Sequence, residues 1–250
     1  MGRGVRVLIT NDDGIDSPGL HALARGARDH GWDVVVAAPE RESSGTSAGL
    51  TAAEDDRRVR VTRRELPGLP DVPAHAVAAH PGLIALVAAQ GAFGDPPDVV
   101  LSGVNRGANV GRAVLHSGTV GAALTASING ARAMAVSLDV PLGGGAEHHW
   151  DTAVAVAARL FDRLAGLPPG AVLNLNVPNR PEVGEPKRAS LAEFGAVQSR
   201  VKDTDDGSID LTSVLVEGDL PPGSDAALLA EGHATVTPLR SVGEEPGIDL

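Results

Sequence analysis

The sequence predicts an α/β fold with a mostly parallel sheet flanked by helices. Short runs of Val, Ile and Leu alternate along the chain with Ala-rich helical stretches, and strands that alternate with helices in this way form parallel sheets covered on both faces. The chain has 250 residues, which is enough for one α/β domain with additions at its edge.

Local patterns predict the individual elements. Apolar runs that end at polar turns indicate buried strands, and a proline early in the first turn favours the start of a helix. Strands are predicted at residues 5–10, 32–39, 98–103, 133–138 and 171–178, with an edge strand at 59–62. Helices are predicted at residues 17–29, 80–90, 119–131 and 150–165, and polar or glycine-rich loops at 40–51 and 104–118.

The pattern changes beyond residue 178, where the chain becomes rich in proline and charge. The segment "VKDTDDGSIDLTSVLVEGDLPPGSD" predicts a β-hairpin with turns at Asp206-Gly207 and at Pro221-Pro222-Gly223. We therefore expect a core at residues 1–178 and an extension at 179–250 that covers the site or reaches another subunit.

Composition excludes several classes of protein. The net charge of −11 argues against binding to nucleic acid polymers, which need clustered Lys and Arg. Cysteine is absent, which excludes disulfides and thiolate metal sites. No apolar stretch reaches the roughly 18 residues of a membrane span, and "MGRGVRVLIT" leads straight into a strand. We expect a cytoplasmic protein without a membrane segment.

Three loops that are distant in sequence are predicted to meet at one edge of the sheet. Right-handed crossovers bring the loops after parallel strands to the carboxyl edge, where ligands bind in open α/β sheets. The residues these loops supply are oxygen ligands, small hydroxyls or glycines: Asn11, Asp12, Asp13, Gly14, Ser43, Ser44, Gly45, Ser102, Gly103, Asn105, Asn109, Ser117, Gly118 and Thr119.

The acidic pair Asp12-Asp13 indicates a divalent cation at this edge. Like charges side by side repel each other, and hard cations such as Mg²⁺ or Mn²⁺ prefer oxygen ligands. A helix that starts at Gly118-Thr119 would point free N–H groups and its positive dipole end outward, where a phosphate can dock. A metal beside an anion site suits hydrolysis of a phosphate ester.

Other interpretations remain open at this point. An Asp-Asp-Gly turn and a Ser-Gly-Thr helix start also occur as plain turn and cap chemistry. A phosphatase with an aspartyl-phosphate intermediate needs a nearby Lys, but the two lysines, Lys187 and Lys202, lie in the extension. The other alternative is a non-enzymatic receiver-like or nucleotide-binding module. A receiver would carry a phospho-acceptor Asp at the end of a central strand, where "DVVLSGVN" has Ser and Asn.

Five separated segments resemble the SurE family, also called survival protein E. They are "ITNDDGIDSPGL", "APERESSGTSAGLT", "SGVNRGANVG", "SGTVGAA" and "LNVP", and "SDAALLAEGHATVTPL" extends the resemblance to residue 239. The resemblance implies a Rossmann-like catalytic core at residues 1–178, and a protruding hairpin and C-terminal segment that assemble a homodimer or homotetramer. It departs at His116, where the family often has an aromatic residue, at Ser224, which replaces a usual Thr, and over residues 180–219.

The resemblance also implies an activity and a ligand set. It implies a metal-dependent nucleotidase that hydrolyses nucleoside 5′- and 3′-monophosphates, with one Mg²⁺ or Mn²⁺ per subunit held by Asp12, Asp13, Ser44 and Asn105. In the resulting hypothesis a metal-activated water attacks phosphorus, and Asp12 or Asp13 accepts its proton. The predicted phosphate and substrate contacts are Asn11, Asn109, Ser117, Gly118 and Thr119.

Overall fold

The computed structural model describes residues 4–50, 58–140, 147–193, 197–203, 209–215 and 220–244. The helices are α1 (Pro18–Asp29), α2 (Pro81–Ala89), α3 (Gly118–Ile128), α4 (Trp150–Ala158), α5 (Phe161–Ala165) and α6 (Asp225–Ala230), with a 3₁₀ helix at Gly111–His116. The strands are β1 (Arg6–Thr10), β2 (Asp33–Pro39), β3 (Val61–Leu66), β4 (Leu69–Val77), β5 (Val99–Arg106), β6 (Arg132–Asp139), β7 (Val172–Pro178), β8 (Lys187–Arg188), β9 (Val197–Asp203), β10 (Ile209–Leu215) and β11 (Thr235–Leu239).

Nine of these strands form one sheet in the order β3-β4-β2-β1-β5-β6-β7-β11-β8. The six strands from β4 to β7 in that order are parallel to one another, whereas β3 runs antiparallel to β4, and β11 runs antiparallel to β7 and parallel to β8. This arrangement confirms the predicted α/β fold with a mostly parallel sheet. β9 and β10 form a separate antiparallel hairpin, as predicted, and its predicted turn at Asp206-Gly207 lies outside the described residues.

Two hydrophobic layers cover the faces of the sheet. On one face, α1, α4 and α5 pack their buried side chains, including Leu20, Leu23 and Phe161, against the strands. On the other face, α2 and α3 do the same with Ile84 and Val120. Because helices cover both faces, a site can form only at the ends of the parallel strands, where loops connect strands to helices. Among the described residues, no helix is both long and apolar enough to cross a membrane.

Three strands, β4, β8 and β11, were not predicted. β8 has only two residues, and proline accounts for the other two omissions. β4 contains Pro70 and Pro73, which cannot donate to a strand ladder. Its pairing with β3 shifts register between Arg64 and Leu66, opposite this stretch, and pairing with β2 begins only at Ala74. β11 contains Pro238 and forms the antiparallel partner of β7. The predicted edge strand at 59–62 is observed later in the sequence, as β3.

Two further predictions about local structure were wrong. The predicted helix at 150–165 is divided into α4 and α5, because Leu160 N–H bonds to the carbonyl of Ala157 at 2.9 Å and ends the first helix in a tighter turn. The predicted loop at 104–118 begins later, since β5 continues to Arg106, and it contains the 3₁₀ helix.

A buried carboxylate attaches the C-terminal part of the chain to the loop that follows β5. Asp225 is fully buried, and its oxygens accept backbone N–H bonds from Gly111 at 2.9 Å, Ala192 at 2.9 Å and Ala226 at 2.8 Å. Hydrogen bonds to a charged group are stronger than neutral ones. Asp225 therefore holds three separate segments together.

We predict that Asp225→Ala lowers the free energy of unfolding by about 2–4 kcal/mol, because three buried N–H groups lose their acceptor. Urea denaturation of both proteins measures this difference. The matched control is Asp71→Ala, whose carboxylate is 63% exposed and 3.5 Å from Arg28, and which should cost no more than about 0.5 kcal/mol. Equal effects of the two substitutions would contradict the role of Asp225.

Candidate active site

The candidate site lies where the strand order reverses. The chain moves from β1 outward through β2 to β4, then crosses to the other side of β1 and continues through β5, β6 and β7. In open α/β sheets such a reversal separates the adjacent loops and opens a crevice at the carboxyl edge. Here the crevice lies between the loops that follow β1 and β5.

Hydrogen bonds join three loops and one helix at Asp12 and Asp13. The carbonyl of Asp12 accepts the N–H of Ser43 at 2.7 Å, in the loop after β2. The Oδ2 of Asp13 accepts the N–H of Arg106 at 3.2 Å, at the end of β5. The hydroxyl of Thr119, in the first turn of α3, donates to Oδ1 of Asp12 at 2.5 Å. The loops predicted to converge therefore meet at the acidic pair.

Asn11 shapes the turn that carries the two aspartates. It is fully buried, its Oδ1 accepts the N–H of Gly14 and its Nδ2 donates to the carbonyl of Gly14, both at 3.1 Å. Gly14 has a φ of +96°, and a Cβ there would lie 3.2 Å from the backbone of Arg41. The side chain of Asn11, predicted to contact substrate, is thus used within the turn.

Burial and mutual repulsion disfavour the ionised forms of these two carboxyl groups. Burial raises the pKa of Asp12 above its usual value, although the hydroxyl of Thr119 and the backbone N–H groups partly offset this rise. Burial and the charge of Asp12 raise the pKa of Asp13 to about 6, and the N–H of Arg106 acts in the opposite direction. Within the described part of the chain, neither carboxylate forms an ion pair with Lys, Arg or His.

Ser44 and Asn105 lie beside the residues that contact the pair. Ser44 follows Ser43, and its hydroxyl donates to Oε1 of Glu42 at 2.9 Å, which leaves the lone pairs of its Oγ available. Asn105 precedes Arg106, and its Nδ2 donates to the carbonyl of Gly107 at 2.7 Å, which leaves Oδ1 as its ligand atom. Both predicted ligands therefore offer a neutral oxygen next to a residue that bonds to an aspartate, Ser44 in the loop after β2 and Asn105 near the end of β5.

The N-terminus of α3 is directed at Asp12. Ser117 caps the helix by accepting the N–H of Val120 at 3.1 Å. Gly118 lies so close to Asp12 that a Cβ there would be 2.8 Å from Oδ2 of the carboxylate and 3.0 Å from Oγ1 of Thr46. The hydroxyl of Thr119, predicted to bind phosphate, is bonded to Asp12 instead, so Thr119 positions a carboxylate in this structure.

Asn109 is anchored to the sheet. Its Nδ2 donates to the hydroxyl of Ser137 at 2.9 Å, and its N–H donates to Oδ1 of Asn176 at 2.8 Å. Its carbonyl accepts from the amides of Asn174 and Asn176 at 2.8 and 2.9 Å. In this structure the Nδ2 of Asn109, predicted to contact phosphate, is committed to Ser137.

Sequence reasoning missed several residues around this site. Ser137, Asn174 and Asn176 are buried polar residues inside otherwise apolar strands, and that interruption of the apolar pattern was the signal available for them. Glu42 bonds to Ser44, and Thr46 donates to the carbonyl of Ser43 at 2.9 Å. Nothing in the spacing of the polar loop distinguishes these two residues from their neighbours.

The donor set fits a hard divalent cation. Two repelling carboxylates that form no ion pair with the described residues, together with a hydroxyl and an amide oxygen, supply only oxygen atoms, which Mg²⁺ and Mn²⁺ prefer. No cluster of three or more His, Cys, Asp or Glu residues suited to a metal occurs in the described ranges. The candidate set accordingly combines two charged oxygens with neutral ones.

We predict that Asp13→Asn stabilises the metal-free protein at pH 7 by about 1–3 kcal/mol, because it removes one of two repelling charges. The pKa of Asp13 is near 6 in the folded state, against 3.8 ordinarily. Wild-type stability should therefore fall, relative to the variant, as pH rises from 4 through 6. Unfolding in chelator across this pH range measures the difference.

Asp16→Asn provides the control for this prediction, since Asp16 is 72% exposed and lies 2.7 Å from Arg64. Its effect on stability should be small and should not follow the same pH course. A difference between wild type and Asp13→Asn that widens on acidification would contradict the repulsion argument.

Comparisons with known proteins point to one family. A family model described as Survival protein SurE matches residues 7–200. The chain is 38% identical over 243 residues to a protein of Solidesulfovibrio magneticus named 5′-nucleotidase SurE, which covers 94% of this chain and 91% of that protein. It is 40% identical over 177 residues to a protein of the same name from Xanthomonas euvesicatoria, covering 70% of this chain and 64% of that one.

A solved structure agrees as well. The crystal structure of the SurE protein from Aquifex aeolicus superposes with a TM-score of 0.73 at 28% sequence identity, covering 94% of this chain and 93% of that one. The five segments that resembled the family in sequence therefore belong to a fold that also matches it. The chain is a member of the SurE family.

Proposed function

We propose that this chain is a divalent-metal-dependent phosphomonoesterase that hydrolyses nucleoside 5′-monophosphates, and 3′-monophosphates as well. The curated relatives, which are named 5′-nucleotidase SurE, support an enzyme of the nucleotidase class. The observation that carries the proposal is the pair Asp12 and Asp13, one buried and one half-buried, held by three loops and α3 without an ion pair among the described residues.

Four residues would hold the ion, one Mg²⁺ or Mn²⁺ per chain: Asp12, Asp13, Ser44 and Asn105. When bound, such an ion polarises phosphate oxygens and lowers the pKa of a bound water. The protein's part is to fix the ligands beforehand. The hydroxyl of Thr119 fixes Asp12, the N–H of Arg106 fixes Asp13, and Glu42 orients the hydroxyl of Ser44.

The first turn of α3 would bind the phosphate next to these ligands. Gly118 has no side chain between α3 and Asp12, and free N–H groups at a helix start favour an anion. The hydroxyl of Ser117 accepts a cap bond and retains a proton to donate. Asn11 and Asn109 would act by holding the two loops in place, and Asp12 or Asp13 would accept the proton of the attacking water.

The larger organisation is part of the same proposal. Residues 1–178 would form the catalytic core and residues 179–250 an extension that assembles a homodimer or homotetramer in the cytoplasm. The hairpin of β9 and β10 belongs to that extension and pairs only with itself within the described residues. An unpaired two-stranded hairpin is marginal alone, which favours a role in assembly.

We predict that Gly118→Ala lowers kcat/KM for AMP by about 10²-fold, because displacing reacting groups by about 1 Å lowers the reaction rate by about this factor. The new Cβ would contact the carboxylate of Asp12. Gly166→Ala is the control, since a Cβ there has its nearest neighbours at 3.5 and 3.6 Å, and its activity should be unchanged. Normal activity of the folded Gly118→Ala protein would show that the close approach is not needed.

The direct test of the proposed function is phosphate release from AMP and 3′-AMP with Mg²⁺ or Mn²⁺ and with a chelator. We expect release only with metal, and we expect Asp12→Asn to reduce it by at least about 10³-fold while circular dichroism stays native. Asp16→Asn is the matched control and should retain activity. Near-normal turnover of Asp12→Asn, or turnover in chelator, would reject the metal role, and a trapped phosphoenzyme would favour an aspartyl-phosphate mechanism.

A further inference from the structure

A cleft of 440 Å³ opens beside the candidate active site. Its walls come from the residues after β2, from those after β4 and from Arg60, which precedes β3. Backbone bonds hold these segments together: Glu40 N–H donates to the carbonyl of Val77 at 3.0 Å, and Ala78 N–H donates to that of Arg60 at 2.9 Å. Its volume lies in the range of roughly 300–1,000 Å³ typical of ligand pockets.

The cleft adjoins the loop that contacts the acidic pair. Ser43 lines it and donates its N–H to the carbonyl of Asp12. Glu42 also lines it and accepts the hydroxyl hydrogen bond of Ser44 at 2.9 Å. A substrate with its phosphate at the aspartates could therefore extend directly into this cleft.

Apolar residues form the floor of the cleft, and the planar guanidinium group of Arg60 forms part of one wall. Val77, Ala78 and Ala79 are buried beneath it. Arg60 bonds to Glu40 through two atoms, Nε to Oε1 at 3.1 Å and Nη2 to Oε2 at 2.8 Å. This two-point bond fixes the plane of the guanidinium, yet the side chain of Arg60 remains 70% exposed, so the plane is open to a ligand.

Nucleobases are usually bound by stacking, and this chain has few rings for that purpose. It contains two Trp, three Phe and no Tyr, none of them lines the cleft, and the one ring in the described lining is the imidazole of half-buried His80. Proteins also stack bases on the planes of Arg guanidinium groups. Among the residues that line the cleft, Arg60 offers a plane that is both fixed and uncovered.

We propose that this cleft binds the nucleoside of the substrate and that the guanidinium of Arg60, held flat by Glu40, stacks on the base. This proposal rests on the proposed function and assigns a subsite and a determinant to it. A lysine at position 60 would keep the charge but lose the plane, so the two contributions can be separated.

The test compares AMP with ribose 5-phosphate, which carries the same phosphate and sugar without a base. We measure kcat/KM for both substrates and take their ratio for wild type, Arg60→Lys and Arg60→Ala. Wild type should prefer AMP, and both variants should lower the ratio by at least about fivefold, the lower limit for loss of one stacked base. Arg64→Ala, which breaks the ion pair with Asp16, is the control and should keep the wild-type ratio.

Three results would overturn the inference: a wild-type ratio near one, an unchanged ratio in Arg60→Lys, or an equal fall in Arg64→Ala. Calorimetric titration with adenosine tests the subsite without catalysis, and its affinity should fall in Arg60→Lys but not in Arg64→Ala. If wild type releases phosphate from neither substrate, the proposed function fails, and the adenosine titration alone then supports or rejects the cleft as a nucleoside site.

Discussion

Repulsion between two adjacent carboxylates, one buried and one half-buried, is the constraint on which the carboxyl edge of this sheet depends. Asp12 and Asp13 receive hydrogen bonds from Thr119 and from the N–H of Arg106, and their pKa values nevertheless remain above the ordinary value. A charge pair without compensation costs stability when it is buried. In the proposed function, the neutral oxygens of Ser44 and Asn105 would complete a ligand set for a dication, so the pair would serve chemistry rather than packing.

Glycine lets the backbone approach this pair closely enough to hold it. A Cβ at Gly118 would press on Asp12 and Thr46, and a Cβ at Gly121 would overlap the carbonyl of Ser47. Both glycines lie on α3, so the helix contacts the loop after β1 and the loop after β2 at once. The close approach couples the position of Ser44 to that of Asp12, although 32 residues separate them in sequence.

The sequence predicted the parts of the fold that follow from regular patterns. Apolar runs ending at polar turns indicated β1, β2 and β5, and parallel topology placed their loops together. The strand β4 was not predicted, because Pro70 and Pro73 interrupt its apolar pattern. Its position is determined by pairing with β2 on one side and β3 on the other. Side-chain roles were harder to predict from sequence, because hydrogen-bond partners depend on which residues the fold brings together. Thr119 bonds to Asp12, and Asn109 bonds to Ser137.

The central claim is that a single hard cation belongs between Asp12 and Asp13. The most direct measurement is an anomalous difference map from crystals of this protein grown with Mn²⁺. The account predicts one strong peak per chain, within about 2.0–2.6 Å of carboxylate oxygens of both aspartates and of oxygens from Ser44 and Asn105. A map without a peak there at saturating Mn²⁺, or with its strongest peak elsewhere on the chain, would contradict it.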